Sequence, residues 1–225
     1  MSTFLNPPFI IAILLSLSVH EWAHGWMAAR LGDPTAYNAG RLTLNPLAHL
    51  DPIGALMFLF VGFGWAKPVP VNPYYFHHPK RDTTLVALAG PVSNLLLAFL
   101  SFFALLLLVP RSITDSPMGI LTVGQNGSVL QTLLLQLLGG LLFINLGLMA
   151  FNLLPIAPLD GSKILRMFIP IQHEETYENF MQRGPMVLLI LILLGTFFHV
   201  PLLSMWVFGI MRPILSLMTV IAAAV

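Results

Sequence analysis

The folds open to this chain are narrowed most by the length of its apolar runs. Leu85–Val109 and Leu130–Leu154 each hold about the 20 residues a helix needs to cross a hydrocarbon core, and Phe4–Leu31 is apolar except at one place. These read as spans one, two and three. After a polar stretch with Gln172, His173, Glu174, Glu175 and Glu178, the runs Pro185–Val200 and Leu202–Val225 read as a fourth and a fifth span, parted at Pro201. Arg212-Pro213 interrupts the last run, so a kinked or partial span is expected there. Only 8% of the 225 residues are charged, against about 25% in an ordinary soluble domain, which excludes a soluble enzyme. The expected fold is an all-α multi-span membrane protein of about five transmembrane helices, a single domain over 1–225 in a lipid bilayer.

The first run lacks the basic start and small-residue cleavage pattern of a removable signal peptide and reads as a retained span. Between spans one and two, Gly32–Thr84 is too apolar at Ile53–Trp65 for a solvated loop and too rich in Gly and Pro for a helix pair. It is expected to be re-entrant, because irregular backbone at membrane depth must be shielded by protein or line a cavity. Alternation over Arg41-Leu42-Thr43-Leu44-Asn45 allows a short strand, whose edge can take up a further extended segment by strand addition. Lys and Arg set the orientation. Arg30, Arg41, Lys67, Lys80, Arg81, Lys163, Arg166 and Arg183 follow spans one and three, whereas only Arg111 follows spans two and four. The positive-inside rule then puts the first and third connections in the cytoplasm.

Inside the first span sits His20-Glu21-Trp22-Ala23-His24, an H-E-x-x-H motif in an apolar setting. The i, i+4 spacing puts both imidazoles on one helical face, where they can share a Zn²⁺, with Glu21 beside them to take a proton from the attacking water. The alternative, ionisable residues buried only to pair with one another, is the less favoured account of such a motif inside a span. A catalytic zinc usually has three protein ligands, and with no cysteine in the chain the third must be His, Asp or Glu. The candidates are His49, Asp51, His77, His78, Asp82, Asp115, Asp160, His173, His199, Glu174, Glu175 and Glu178. Asp160 stands out, after two prolines that stop the third span and before the helical stretch Ser162–Phe168, although an Asp in that place is equally a helix N-cap. His20 lies ten residues before Arg30, so a metal there sits about 15 Å below the cytoplasmic surface. Gly90-Pro91-Val92-Ser93-Asn94 opens the second span. Its Gly permits close helix approach, and Asn94 either hydrogen-bonds a strained carbonyl or substrate backbone, or joins helices. A net charge of +1 without a basic run leaves no footprint for nucleic acid.

Together these elements resemble the site-2 protease family of intramembrane zinc metalloproteases. The likeness rests on His20, Glu21 and His24, on Gly90, Pro91 and Asn94, and on the N-x-x-P-x-x-P-L-D-G run from Asn152 to Gly161, and it covers about residues 10–170. It implies a zinc ion held by His20, His24 and Asp160, Glu21 as general base, and Asn94 as a residue that binds substrate or stabilises the oxyanion. It also implies a three-span catalytic core, here about 4–170, with accessory spans over about 185–225 and the segment Gly40–Pro73 screening the site. Substrates implied are single-span membrane proteins or leftover signal peptides, at a plasma-membrane site open to the cytoplasm. The chain reads as a minimal version, without an inserted peptide-binding domain of the PDZ type, and Ala157 stands where the family has proline. The alternatives are a membrane metal transporter, disfavoured by the scarcity of ionisable residues in the other spans, and an inactive relative that only binds membrane helices.

Overall fold

The computed structural model describes residues 6–61, 64–108 and 128–224. Helix α1, Pro7–Arg30, starts on two prolines, which suit the first turn because the N–H groups they lack have no partner there. It stops at Gly32, whose φ of 101° lets the chain turn back. Asp33 N–H then donates to Ala28 O at 2.9 Å and Gly32 N–H to Ala29 O at 3.2 Å, so the last carbonyls are satisfied. At the same end Trp22 stacks on Trp26, and Arg30 lies 5.1 Å over the Trp26 ring, an aromatic and basic cluster of the kind that anchors a helix at a membrane interface.

Three short helices follow, α2 (Thr35–Asn38), α3 (Pro46–His49) and α4 (Pro52–Val61), then α5 (Pro79–Leu108), α6 (Val129–Asn152), α7 (Asp160–Arg166), α8 (Glu174–Met181), α9 (Gly184–Phe197) and α10 (Leu202–Ala224). Helices α1, α5 and α6 pack on one another as a three-helix core, and α10 lies on α6. Phe102 and Leu105 of α5, Leu142 and Leu146 of α6, and Met211 and Met218 of α10 make its buried centre. Trp206 of α10 donates its indole N–H to Ala150 O at 2.8 Å.

Four helices, α1, α5, α6 and α10, are long and apolar enough to cross a membrane, and a fifth span results if Ile171–Met181 and Gly184–Phe197, bent by 51°, count as one. Helix α9 alone has 14 residues, about 21 Å at 1.5 Å per residue, short of the roughly 30 Å of hydrocarbon. The chain is therefore a helical, integral membrane protein of four to five spans. Helix α10 continues through Pro213. Arg111 lies outside the described residues.

The strand expected at 41–45 does not form, and the described residues contain no strand. Local hydrogen bonds take the groups a ladder would need: Asn45 N–H donates to Thr43 Oγ1 at 3.1 Å, and the Asn45 side chain caps α3 at Leu47 N. Such side-chain bonds compete with sheet pairing. A single antiparallel bridge joins Leu50 to Ala66 instead. From there an extended segment runs to Asn72 across α1, tied down by Lys67 N–H to His49 O (2.9 Å) and by the Arg41 guanidinium to Lys67 O (2.7 Å).

Candidate metal centre

His20 and His24 lie one turn apart on the face of α1 that meets α5, and both are buried. Asp160 reaches them from α7. In the turn after α6 the chain reverses so tightly that a Cβ on Gly161 would lie 2.3 Å from Leu153 O and 2.4 Å from Leu154 O. Only glycine at 161 lets the start of α7 rest on the end of α6, and that contact aims the preceding carboxylate inward. The N-cap role is not realised: Leu159 is the cap residue, Asp160 is the first residue of the helix, and no side chain caps it.

Three atoms converge. His20 Nε2 and His24 Nε2 are 3.0 Å apart, and Asp160 Oδ2 lies 3.3 and 3.2 Å from them. The protonation of the rings follows from their other nitrogens. His24 Nδ1 is 2.7 Å from Val86 O, a carbonyl that can only accept, so the proton is on Nδ1. His20 Nδ1 is 2.6 Å from Asn94 Oδ1, again an acceptor. Both Nε2 atoms therefore turn lone pairs toward a carboxylate oxygen that is itself buried without a hydrogen-bond donor. Three acceptors facing one another repel, and one proton relieves a single pair at most, whereas a cation relieves all three. Zinc bonds of about 2.0–2.1 Å at tetrahedral angles separate the ligand atoms by about 3.3–3.4 Å. The observed triangle fits that spacing, and two nitrogens with one oxygen are a zinc donor set. Among the described residues no other group of three or more His, Asp or Glu could hold an ion.

Gly90 of α5 closes the back of this centre. A Cβ there would lie 2.5 Å from His20 Cε1, His24 Cε1 and His24 Nε2, so the close approach expected of this glycine is made against the imidazoles themselves. Glu21 faces the extended segment, its Oε2 accepting from Val69 N–H at 2.9 Å. His20 and Glu21 share a cavity of about 440 Å³ with Leu17, Trp65, Phe151, Asn152, Leu188 and Ile192 among its walls.

Asn94 stands elsewhere than its expected substrate-facing place. It is fully buried behind His20, its oxygen accepts from His20 Nδ1–H, and its two N–H bonds point to Asn145 Oδ1 (2.6 Å) and Ser16 O (3.4 Å). No donor remains for an oxyanion. Asn145 and Ser16 belong to no motif, although an amide in the apolar run of α6 is the kind of polar residue that a span carries for a reason. Of the other ligand candidates, His49 is buried against Thr43 O, and Asp82 is engaged by His78 N–H and Arg81. Asp115 lies outside the described residues.

Residues 107–194 match the profile of peptidase family M50. YwhC of Bacillus subtilis is 40% identical over 202 residues, which cover 89% of this chain and 87% of that protein. Rip2 of Mycobacterium tuberculosis is 32% identical over 203 residues, 88% of this chain and 68% of its own. MJ0611 of Methanocaldococcus jannaschii is 30% identical over 157 residues, 70% and 68% of the two chains. All three carry provisional names as zinc metalloproteases. No solved structure matches the chain at comparable significance.

Proposed function

Because this chain belongs to peptidase family M50, the site-2 proteases, we propose that it hydrolyses peptide bonds within or near the transmembrane helices of other membrane proteins. His20, His24 and Asp160 hold the zinc, and Glu21 is the general base. The observation that carries this reading is the convergence of two imidazole lone pairs and an undonated carboxylate oxygen within 3.0–3.3 Å, one residue from a glutamate on the same helix. Zinc bound there supplies Lewis acidity, polarising a carbonyl and making a water acidic at neutral pH.

The chain's own residues do the rest. Glu21 takes the water proton and returns it to the leaving amine, its carboxylate keeping acceptor sites beyond the one that Val69 N–H occupies. The cavity walls of Leu17, Phe151, Leu188 and Ile192 suit an apolar side chain, as a substrate span would offer. His20 and His24 hold their Nδ1 protons on fixed acceptors and stay oriented through the cycle. Substrates are single-span proteins or signal peptides, reached at the plasma membrane with the site open to the cytoplasm, in keeping with the basic residues that flank spans one and three.

Glu21→Gln tests the assignment. In detergent-purified protein supplied with a transmembrane peptide, cleavage should fall at least 100-fold, the scale of a lost general base, while about one zinc per chain is retained. Full cleavage by that variant would remove Glu21 from the chemistry. Cleavage by wild-type protein stripped of zinc would remove the metal.

A further inference from the structure

The two histidine ligands are locked in different ways. His24 donates Nδ1–H directly to a backbone carbonyl, Val86 O, whose acceptor character cannot change. His20 has no such partner. Its Nδ1 meets the oxygen of an amide side chain, Asn94, and an amide turned by half a rotation would present N–H instead of oxygen. His20 would then carry its proton on Nε2, the atom that faces His24 and Asp160, and would lose the lone pair a metal needs.

A relay through the core prevents that rotation. Asn145 of α6 donates Nδ2–H to Leu141 O at 2.7 Å and to Ser16 Oγ at 2.7 Å. Leu141 O is a backbone carbonyl and can only accept, which fixes Asn145 with its oxygen toward Asn94. Asn145 Oδ1 accepts Asn94 Nδ2–H at 2.6 Å, which fixes Asn94 with its oxygen toward His20. Ser16 completes the set: it accepts from Asn145 and donates to Ala12 O at 2.7 Å. Ser16, Asn94 and Asn145 are each 0% exposed, and every donor and acceptor in the relay has one possible sense. Polar groups that only join helices need no such direction; this chain of bonds has one, and it ends on a zinc ligand.

We infer that Asn145 is a positioning residue for zinc binding, acting through Asn94 to hold His20 in the tautomer that leaves Nε2 free. It thereby makes the seating of α6 against α1 and α5 a condition of metal affinity. The inference rests on the metal-site reading above.

Zinc affinity, by chelator competition, and the melting temperature of the zinc-free form would be measured on the full chain in detergent for wild type, Asn145→Leu, Asn145→Ser and Asn145→Asp. Removing an outer partner of a metal-bound histidine costs about 10–100-fold in affinity. Asn145→Leu and Asn145→Ser should therefore bind zinc about 10-fold or more weakly, a loss beyond what the fall in zinc-free melting temperature expected from unpartnered buried groups accounts for. Asn145→Asp, which still offers Asn94 an acceptor in either protonation state, should restore most of the affinity. Co²⁺ in place of zinc should give altered visible bands in the Leu and Ser variants and near-normal bands in the Asp variant. Should Asn145→Leu fail to fold, the Ser and Asp pair decides. Wild-type zinc affinity in Asn145→Ser would overturn the inference, as would an affinity loss that follows the melting temperature and is not restored by Asp. Failure of the wild-type chain to bind zinc at all would instead overturn the metal site on which it rests.

Discussion

Replacing Gly90 by alanine should damage the metal centre without touching a ligand. The added methyl would stand 2.5 Å from three imidazole atoms, two on His24 and one on His20, where ordinary contact begins at 3.4 Å. Relief needs a displacement of about 0.9 Å, shared among the rings and α5, while metal–ligand distances are held to about ±0.2 Å in a working site. The rings have little freedom to yield, because their Nδ1 atoms are pinned on Asn94 and Val86 at 2.6 and 2.7 Å. Overpacking of this kind costs about 1–3 kcal/mol, which at 1.4 kcal/mol per decade is about 5- to 150-fold in zinc affinity. The assay is chelator competition on purified Gly90→Ala, with peptide cleavage on the same samples and Gly147→Ala as control, since a Cβ at Gly147 meets nothing within 4 Å. Zinc affinity and cleavage equal to wild type in Gly90→Ala would refute the argument that α5 abuts the histidines.

Gly161→Ala should lower zinc affinity with all three ligands present, because its methyl would collide with Leu153 O and Leu154 O and push the start of α7 away from α6; unchanged affinity would deny that this contact aims Asp160. Zinc binding should strengthen as pH rises. Protonated imidazole cannot ligate, so protons compete with the metal and affinity falls as pH falls, which competition titrations between pH 5.5 and 8 would display. Arg166→Met removes bonds to Glu178 (2.6 Å) and Glu174 (3.9 Å) on the partly exposed face of α7. Pairs of this kind are worth about 0–1 kcal/mol, so stability in detergent should change within that range and cleavage less than twofold; a tenfold loss of cleavage would draw α8 into the chemistry.

Much of the centre was legible because its information is local. Spacing i, i+4 puts His20 and His24 on one face whatever surrounds them, and apolar runs at Leu85–Val109 and Leu130–Leu154 find α5 and α6 because lipid demands that length. Asp160 needed more: its two readings, cap and ligand, share a sequence and differ only in where the end of α6 lets α7 lie. No strand forms at 41–45 because the Asn45 side chain, which alternation does not register, caps α3. Composition marks the apolar run of the fourth span but not its helical length: α9 has 14 residues and makes a span only together with Ile171–Met181, from which it is bent by 51°. Asn94 has two readings in the sequence, contact with substrate and joining of helices, because an amide in a span has many uses. Which use applies depends on Asn145, fifty-one residues away, and no periodicity in the chain reports that pairing.

A zinc ion held at 20, 24 and 160, as proposed, would also have a mechanical task. It would bridge a stretch of about 140 residues, fastening the first helix to the start of α7. A strap over so long a loop restrains the whole assembly for an entropy that grows only with the logarithm of loop length, and binding and folding then draw on one free energy. Loss of the metal would remove this tie between α1 and α7, beside the cavity that Glu21 faces, while leaving α7 packed on α5 and α5 on α6, so the loosening would be confined to the working end of α1.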